Sequence, residues 1–147
     1  MTFATFHEAW AKQRIAPWFT WGTRIALALG FIPAGLTKLL GERFTVLGMD
    51  DPVGFFFEAL YQTGWYWNFL GAMQLLAAAL LLIPRTTTLG AIVYFPIIIN
   101  IFSIVLAMHF KGTPYVVGLM ILANLYLLVW DYKKLVKVFN ILLRKNT

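Results

Sequence analysis

Nearly all apolar residues of this chain fall into four blocks of about 20 residues, the length needed to cross a membrane. The blocks cover about residues 17–40, 64–83, 88–110 and 114–131. Only 12% of the 147 residues are charged, about half the share in an average soluble domain. The connection at residues 84–87 is so short that the blocks it joins must be antiparallel. The sequence predicts a single all-α membrane domain over residues 1–147, an antiparallel four-helix bundle, with a buried soluble bundle as the alternative.

Two further segments have the pattern of helices that lie on a membrane surface. Asp50, Asp51 and Pro52 are typical of a helix start, because a capping carboxylate precedes a proline. The apolar residues that follow are too few to span, so we expect a short interfacial helix over about residues 51–61. The basic tail, residues 132–147, alternates cationic and apolar residues. This pattern predicts an amphipathic C-terminal helix that anchors on lipid or docks a partner.

The positive charges of the chain lie just outside the apolar blocks. With a net charge of +6, the expected partners are the bilayer and its anionic head groups rather than nucleic acid. Lysine and arginine are most frequent on the side that carries both termini, so we expect both termini in the cytoplasm and the protein in a bacterial cytoplasmic (inner) membrane. The first block exceeds the about 7–15 residues of a signal-peptide core, which favours a permanent span.

Several kinds of redox site are not expected in this chain. It contains no cysteine, and its two histidines are far apart in the sequence. Disulfides, thiolate chemistry and a metal site are therefore not predicted. Any redox role requires a bound quinone, another cofactor or a partner, either another membrane subunit or a peripheral one.

Two cations, Arg24 and Lys38, lie inside the first apolar block. A charge at the bilayer centre costs at least about 2.5–3.5 kcal/mol, so such residues usually face protein, water or a ligand. Lys38 follows a ridge of small residues that predicts close approach of a neighbouring helix, namely Gly22, Ala26, Gly30 and Ala34. Two interpretations of Lys38 stay open: a ligand-binding residue, or a lysine that extends to the outer head groups.

Arg24 is expected nearer the cytoplasmic end of the first block. Asp131 ends the fourth block on the same side, at a depth that Arg24 can reach. We therefore predict a structural ion pair between Arg24 and Asp131 that joins the first span to the fourth. A role for Arg24 in ligand binding is the alternative.

The remaining polar side chains of the blocks are amides and one histidine. Gln74, Asn100 and Asn124 lie deep enough to form hydrogen bonds between helices or to line a polar cavity. Pro96 favours the cavity, because it frees a backbone carbonyl in the middle of the third block. His109 ends that block on the outer side, where it either transfers protons to a reduced substrate or is simply solvated.

Sequence motifs resemble those of the DoxX family of small bacterial membrane proteins. The arginine of Arg24–Leu27 leads into Ala34–Leu39, similar to the Gly-Leu-x-Lys-Leu pattern that the family has at the end of its first span. Gly71–Leu76 and Leu80–Arg85 are similar to its second span and short turn. The resemblance extends over about residues 20–131, and it implies a membrane fold of four helices.

The resemblance also implies a functional hypothesis. Relatives include the DoxD-type subunit of a thiosulfate–quinone oxidoreductase, and Arg24 and Lys38 correspond to the family's motif residues. Family members often have a carboxylate where this chain has Gln74, so no acid is expected there. The leading hypothesis is an accessory or catalytic subunit of a membrane redox system that binds a quinone-like amphiphile through Lys38, Gln74, Asn100 and His109. The alternative is a non-catalytic scaffold or assembly subunit of a membrane complex.

Overall fold

The computed structural model describes residues 3–143, which form seven α-helices. Four of these helices are long and apolar enough to cross a membrane: α2 (Ala16–Leu39), α4 (Trp65–Leu82), α5 (Thr87–Ala107) and α6 (Thr113–Trp130). The others are α1 (Phe3–Ala11), α3 (Pro52–Gln62) and α7 (Tyr132–Leu143). The predicted all-α membrane bundle is confirmed, and its helix ends differ from the predicted ones by a few residues. Arg144 and Lys145 of the predicted basic tail lie outside the described residues.

Helix α3 begins at the capping motif that the sequence indicates. Asp51 has an extended backbone, and its carboxylate accepts hydrogen bonds from the backbone N–H groups of Val53 at 2.7 Å and Gly54 at 3.3 Å. Pro52 occupies the first turn, where its missing N–H would have no helical partner. Phe57 of α3 and Lys38 of α2 line the same cavity. Helix α3 therefore lies at the end of the bundle that carries Lys38.

The four spans form a ring in which each span packs against two neighbours. The most extensive contact joins α2 to α4, α5 packs against both α4 and α6, and α2 contacts α6 the least. Asn68 at the start of α4 donates to the carbonyls of Lys38 and Leu39 at the end of α2, so the two helices are antiparallel. At the other end, the Thr20 hydroxyl of α2 lies 2.9 Å from the Tyr126 hydroxyl of α6. We call these the Lys38 end and the Thr20 end.

Glycines on α2 and α4 allow their close contact. A Cβ atom on Gly71 would lie 2.5 Å from the Leu39 nitrogen and 2.6 Å from the Gly35 carbonyl oxygen. The predicted ridge does not form this seam: Gly22 is exposed, and a Cβ there would have no neighbour within 4 Å. The seam uses Gly35 instead, which lies about 100° round the helix from Ala34.

The α2–α4 pair and the α5–α6 pair are joined in the half of the bundle nearer the Thr20 end. The Tyr94 hydroxyl donates to the Leu27 carbonyl at 3.1 Å, and its ring stacks on Phe31 with 3.7 Å between centroids. Gly90 lets α5 approach the α4 backbone, because a Cβ there would lie 2.6 Å from the Leu81 nitrogen. Within residues 3–143, no side-chain hydrogen bond joins the two pairs in the half nearer the Lys38 end. In this half, residues of all four spans line a cavity instead.

The terminal helices meet at the Thr20 end. The Trp10 indole N–H of α1 donates to the Tyr126 hydroxyl at 3.2 Å, and Glu8 forms an ion pair with Lys133 of α7 at 3.2 Å. Helix α7 exposes apolar side chains, including Val136 and Phe139, between its lysines. This pattern agrees with an amphipathic helix, and its position on a membrane surface stays a prediction.

Candidate ligand-binding cavity

A cavity of about 520 Å³ lies between the two helix pairs in the half of the bundle nearer the Lys38 end. Small-molecule sites typically have volumes of about 300–1,000 Å³. The walls are mostly apolar and aromatic, and they include three of the four candidate residues, each from a different span: Lys38, Gln74 and Asn100. Tertiary packing thus brings together polar groups that are far apart in the sequence.

In the part of the chain that the structure describes, Lys38 is a buried cation without a carboxylate partner. The side chain is 8% exposed, and its ammonium group donates to the Ala34 carbonyl at 3.1 Å. The ring centroids of Phe44 and Trp67 lie 4.3 and 5.2 Å from Nζ. Within residues 3–143, no carboxylate oxygen lies within 4.0 Å of this nitrogen. Because an ammonium group has three N–H donors, Lys38 has donors left for a ligand in the cavity.

The end of α2 folds so that aromatic residues cover Lys38. Gly41 has φ +71°, its N–H donates to the Lys38 carbonyl, and the N–H of Glu42 donates to the Thr37 carbonyl at 2.9 Å. This is the Schellman arrangement, in which a left-handed glycine ends the helix. The chain then reverses and places Phe44 over the ammonium group.

The amides differ in whether they bond to another helix. Gln74 is 4% exposed, and its buried Oε1 has no hydrogen-bond partner among residues 3–143. Asn100 is exposed beside Pro96 at the edge of the cavity. Among the described residues, neither amide bonds to a neighbouring helix. Asn124 does, because its Nδ2 donates to the Ala91 carbonyl of α5 at 3.1 Å. Asn124 therefore forms the interhelical hydrogen bond, while Gln74 and Asn100 are available to a ligand.

His109 is the candidate that does not line the cavity. It is exposed and has φ +54°. Its N–H donates to the Leu106 carbonyl at 3.1 Å, and the N–H of Phe110 donates to the Val105 carbonyl at 3.0 Å. These two bonds form a second Schellman arrangement, so the backbone of His109 ends α5. A role of its side chain in proton transfer stays a prediction.

We expect His109→Gly to raise the free energy of unfolding by about 0.5–1 kcal/mol, since glycine adopts a positive φ without the steric penalty. The measurement is chemical unfolding of the purified protein in detergent. Met108→Gly is the control, because Met108 has φ −89° and its replacement is expected to destabilise. A loss of stability in His109→Gly would show that the imidazole makes a contact worth more than the backbone strain.

The predicted ion pair between Arg24 and Asp131 does not form as a direct contact, although the Asp131 charge still acts on Arg24 over a longer distance. Among the described residues, no Arg24 nitrogen lies within 4.0 Å of an Asp131 oxygen. The Asp131 carboxylate instead accepts a hydrogen bond from Thr88 and pairs with Lys134 at 2.9 Å. The Arg24 guanidinium lies 5.0 Å from the Trp21 ring centroid, and its Nε has no hydrogen-bond partner. Nearby partners on α5 and α7 thus occupy the carboxylate.

An aromatic stack separates the cavity from the Thr20 half. Phe31 lines the cavity, and the fully buried Tyr94 stacks on it. Arg24 lies about two turns before Phe31 on α2 and is not part of the lining. Arg24 and Lys38 therefore belong to different environments. The sequence does not single out Tyr94, because aromatic residues are frequent throughout this chain and Ser103 places another hydroxyl in the same span.

A polar link holds the segment that covers Lys38. The Arg43 guanidinium donates to both carboxylate oxygens of Glu58 on α3, at 2.8 and 3.0 Å, and lies 4.8 Å from the Tyr61 ring centroid. Next to it, Phe44 contacts Phe57 with 4.8 Å between ring centroids. The Arg43–Glu58 pair thus fastens the loop after α2 to α3, above one end of the cavity.

Glu58→Gln is expected to lower the melting temperature at neutral pH and to have less effect in acid. The hydrogen bond from Arg43, followed by that from Gln62, holds the pKa of Glu58 below its ordinary value of 4.5. The stabilisation is therefore complete above the unfolded-state pKa and is lost as the pH falls through the lower folded-state pKa. Melting curves of both proteins between about pH 7 and pH 3 measure the difference. Glu42→Gln is the control. If Glu58→Gln lowered the melting temperature equally at every pH, the result would contradict the ionic link between Arg43 and Glu58.

Comparison with known proteins identifies the family. The DoxX family model matches residues 20–110, more than half of the chain. The chain belongs to the DoxX family. The matched part contains the motif cations Arg24 and Lys38 and the cavity amides Gln74 and Asn100, whereas α6 lies outside it. The predicted family is thus confirmed, and the protein is a DoxX-family membrane protein with four apolar helices.

A curated relative of this DoxX-family chain is the "Uncharacterized protein YwoB" of Bacillus subtilis (strain 168). The two are 36% identical over 86 residues, which cover 53% of this chain and 54% of the relative. The chain therefore spans about half the length of the relative it matches. No solved structure matches the chain.

Proposed function

We propose that this DoxX-family protein binds a quinone-like amphiphile in the cavity as a subunit of a membrane redox system. The observation that carries the proposal is Lys38, a buried cation that lines an apolar cavity and has no carboxylate partner within residues 3–143. A quinone, when bound, supplies an acceptor for electrons and protons. The Lys38 ammonium group favours an oxygen on which negative charge develops. The Gln74 amide donates to a quinone carbonyl oxygen through its NH₂ group or accepts from a quinol hydroxyl through Oε1.

This chain contains no cysteine that could pass electrons to the quinone as a thiol. We therefore propose a membrane or peripheral partner subunit as the source of the electrons. The protein would lie in a bacterial cytoplasmic membrane with both termini on the cytoplasmic side, since basic residues are most frequent there. A C-terminal reporter fusion that is active only in the cytoplasm tests this orientation.

Direct binding tests the proposed ligand class. The purified protein in detergent is titrated with a tailless dimethoxy-methyl benzoquinone and with the same ring carrying a decyl chain. Quenching of tryptophan fluorescence reports binding, since Trp67 lies beside Lys38. We expect saturable binding of one ring per protein. Absence of saturable binding would contradict the proposal and favour the scaffold alternative.

Two matched variants test whether binding occurs in the cavity. Ala34→Phe places a ring in the cavity, because Ala34 is part of its lining. Ala26→Phe makes the same change two turns earlier on α2, at an exposed position outside the lining. We expect Ala34→Phe to abolish quinone binding and Ala26→Phe to preserve it. Equal effects of the two variants would place the binding site elsewhere.

A further inference from the structure

We propose that the ligand of this cavity carries a hydrocarbon chain, which leaves the bundle between α2 and α6 past Gly30 and Met120. This inference rests on the proposed function and makes the ligand class more specific. It requires a lipid-soluble amphiphile that enters sideways from the bilayer rather than a water-soluble ring that enters from one end.

The cavity reaches the outer surface between α2 and α6. Of the four contacts between neighbouring spans, that between α2 and α6 is the least extensive. Gly30 of α2 and Val116 of α6 both line the cavity, and both are exposed. Residues that do both mark the edge at which the cavity opens. Ala34 lies one turn from Gly30 and is also small and apolar, so this edge suits a hydrocarbon chain.

The edge lies at the depth of the hydrocarbon core. At 1.5 Å per residue, Gly30 lies about 21 Å from Ala16, the first residue of α2, and α2 is roughly 36 Å long. Helix α6 begins at the opposite end of the bundle, and Met120 lies about 10 Å from its first residue, Thr113. The apolar core of a bilayer is about 30 Å thick, so both positions face lipid chains rather than water. An opening at this depth admits an alkyl chain and disfavours a charged or hydrated group.

The Met120 side chain is the nearest group to Gly30 at this edge, and the Tyr94 hydroxyl would lie 3.8 Å from a Cβ atom on Gly30. A Cβ atom on Gly30 would lie 2.5 Å from Met120 Cε and 3.6 Å from its Sδ. Methionine is unbranched and flexible, so it can move aside for a chain while the helices stay in place. The opposite edge, between α4 and α5, exposes the polar groups of Tyr66 and Asn100, which suit a chain less well.

Closing the edge tests the inference with the same two quinones. Gly30→Leu fills the edge, and Gly22→Leu is the control on the same helix, where a Cβ has no neighbour within 4 Å. We expect Gly30→Leu to weaken binding of the decyl-chain quinone about tenfold or more through overpacking, with the affinity for the tailless ring nearly unchanged. Gly22→Leu should preserve both affinities.

A second substitution distinguishes a closed edge from a general defect. Met120→Ala added to Gly30→Leu removes the side chain that competes for the space, so we expect it to restore binding of the decyl-chain quinone. An equal loss of affinity for both quinones in Gly30→Leu would overturn the lateral opening. The same holds if the decyl chain adds no affinity in the unaltered protein. Failure of the proposed function differs, because the unaltered protein would then bind neither quinone.

Discussion

Lys38→Met is expected to weaken quinone binding by about 10–100-fold. A hydrogen bond to a charged group is worth about 1.5–3 kcal/mol, and each 1.4 kcal/mol changes a dissociation constant about tenfold. Methionine keeps the length and apolar stem of lysine, so the cavity should retain its shape. Titration with the tailless quinone measures the effect, because it depends on the head group and not on the chain.

The same substitution is expected to raise the free energy of unfolding by about 1–3 kcal/mol, because it removes a buried charge that has no carboxylate partner among the described residues. Lower affinity together with higher stability is typical of a residue retained for binding rather than for folding. Lys111→Met is the matched control, since Lys111 is exposed and lies outside the cavity lining. Unchanged affinity in Lys38→Met would remove the basis for the proposed function.

Gly71→Leu is expected to destabilise the protein by at least about 1–3 kcal/mol, the usual effect of overpacking. Any Cβ atom at this position would collide with the α2 backbone, namely the Leu39 nitrogen at 2.5 Å and the Gly35 oxygen at 2.6 Å. Backbone atoms cannot move aside as a flexible side chain can, so α2 and α4 must separate. Chemical unfolding in detergent measures the loss of stability.

The separation of α2 and α4 should also change the position of Lys38 in the cavity, since Asn68 of α4 donates a hydrogen bond to the Lys38 carbonyl next to the seam. We therefore expect Gly71→Leu to weaken quinone binding as well as stability. The control is again Gly22→Leu, which changes a glycine of α2 that has open space around it. Equal stability of the two variants would show that the α2–α4 seam tolerates a larger separation.

The helices of this protein could be predicted closely because several of their boundaries have a local cause. Apolar blocks of spanning length determine the four long helices, and the Asp51 carboxylate followed by Pro52 determines the start of α3. Gly41 ends α2 by adopting a positive φ, which glycine does without strain. These causes act over a few neighbouring residues, so the sequence contains them fully.

The candidate site could be predicted only in part. Lys38, Gln74 and Asn100 were identified because polar side chains are rare in membrane spans, and the structure brings them to one cavity. The Arg24–Asp131 pair was predicted from depth alone, which does not show that Thr88 and Lys134 lie closer to the carboxylate. The aromatic contacts of Phe44, Phe57 and Tyr94 have no local signal, because aromatic residues are frequent throughout this chain.

The sequence by itself determined the class of this protein, the four spans and their connections, and the family to which it belongs. The tertiary structure decided which helix faces meet, because spans that are apolar on all sides have no periodic pattern to indicate their inward face. Gly35 rather than the predicted small-residue ridge therefore forms the α2–α4 seam. The ridge residues Gly30 and Ala34 line the cavity instead, since their small side chains leave space between the helix pairs.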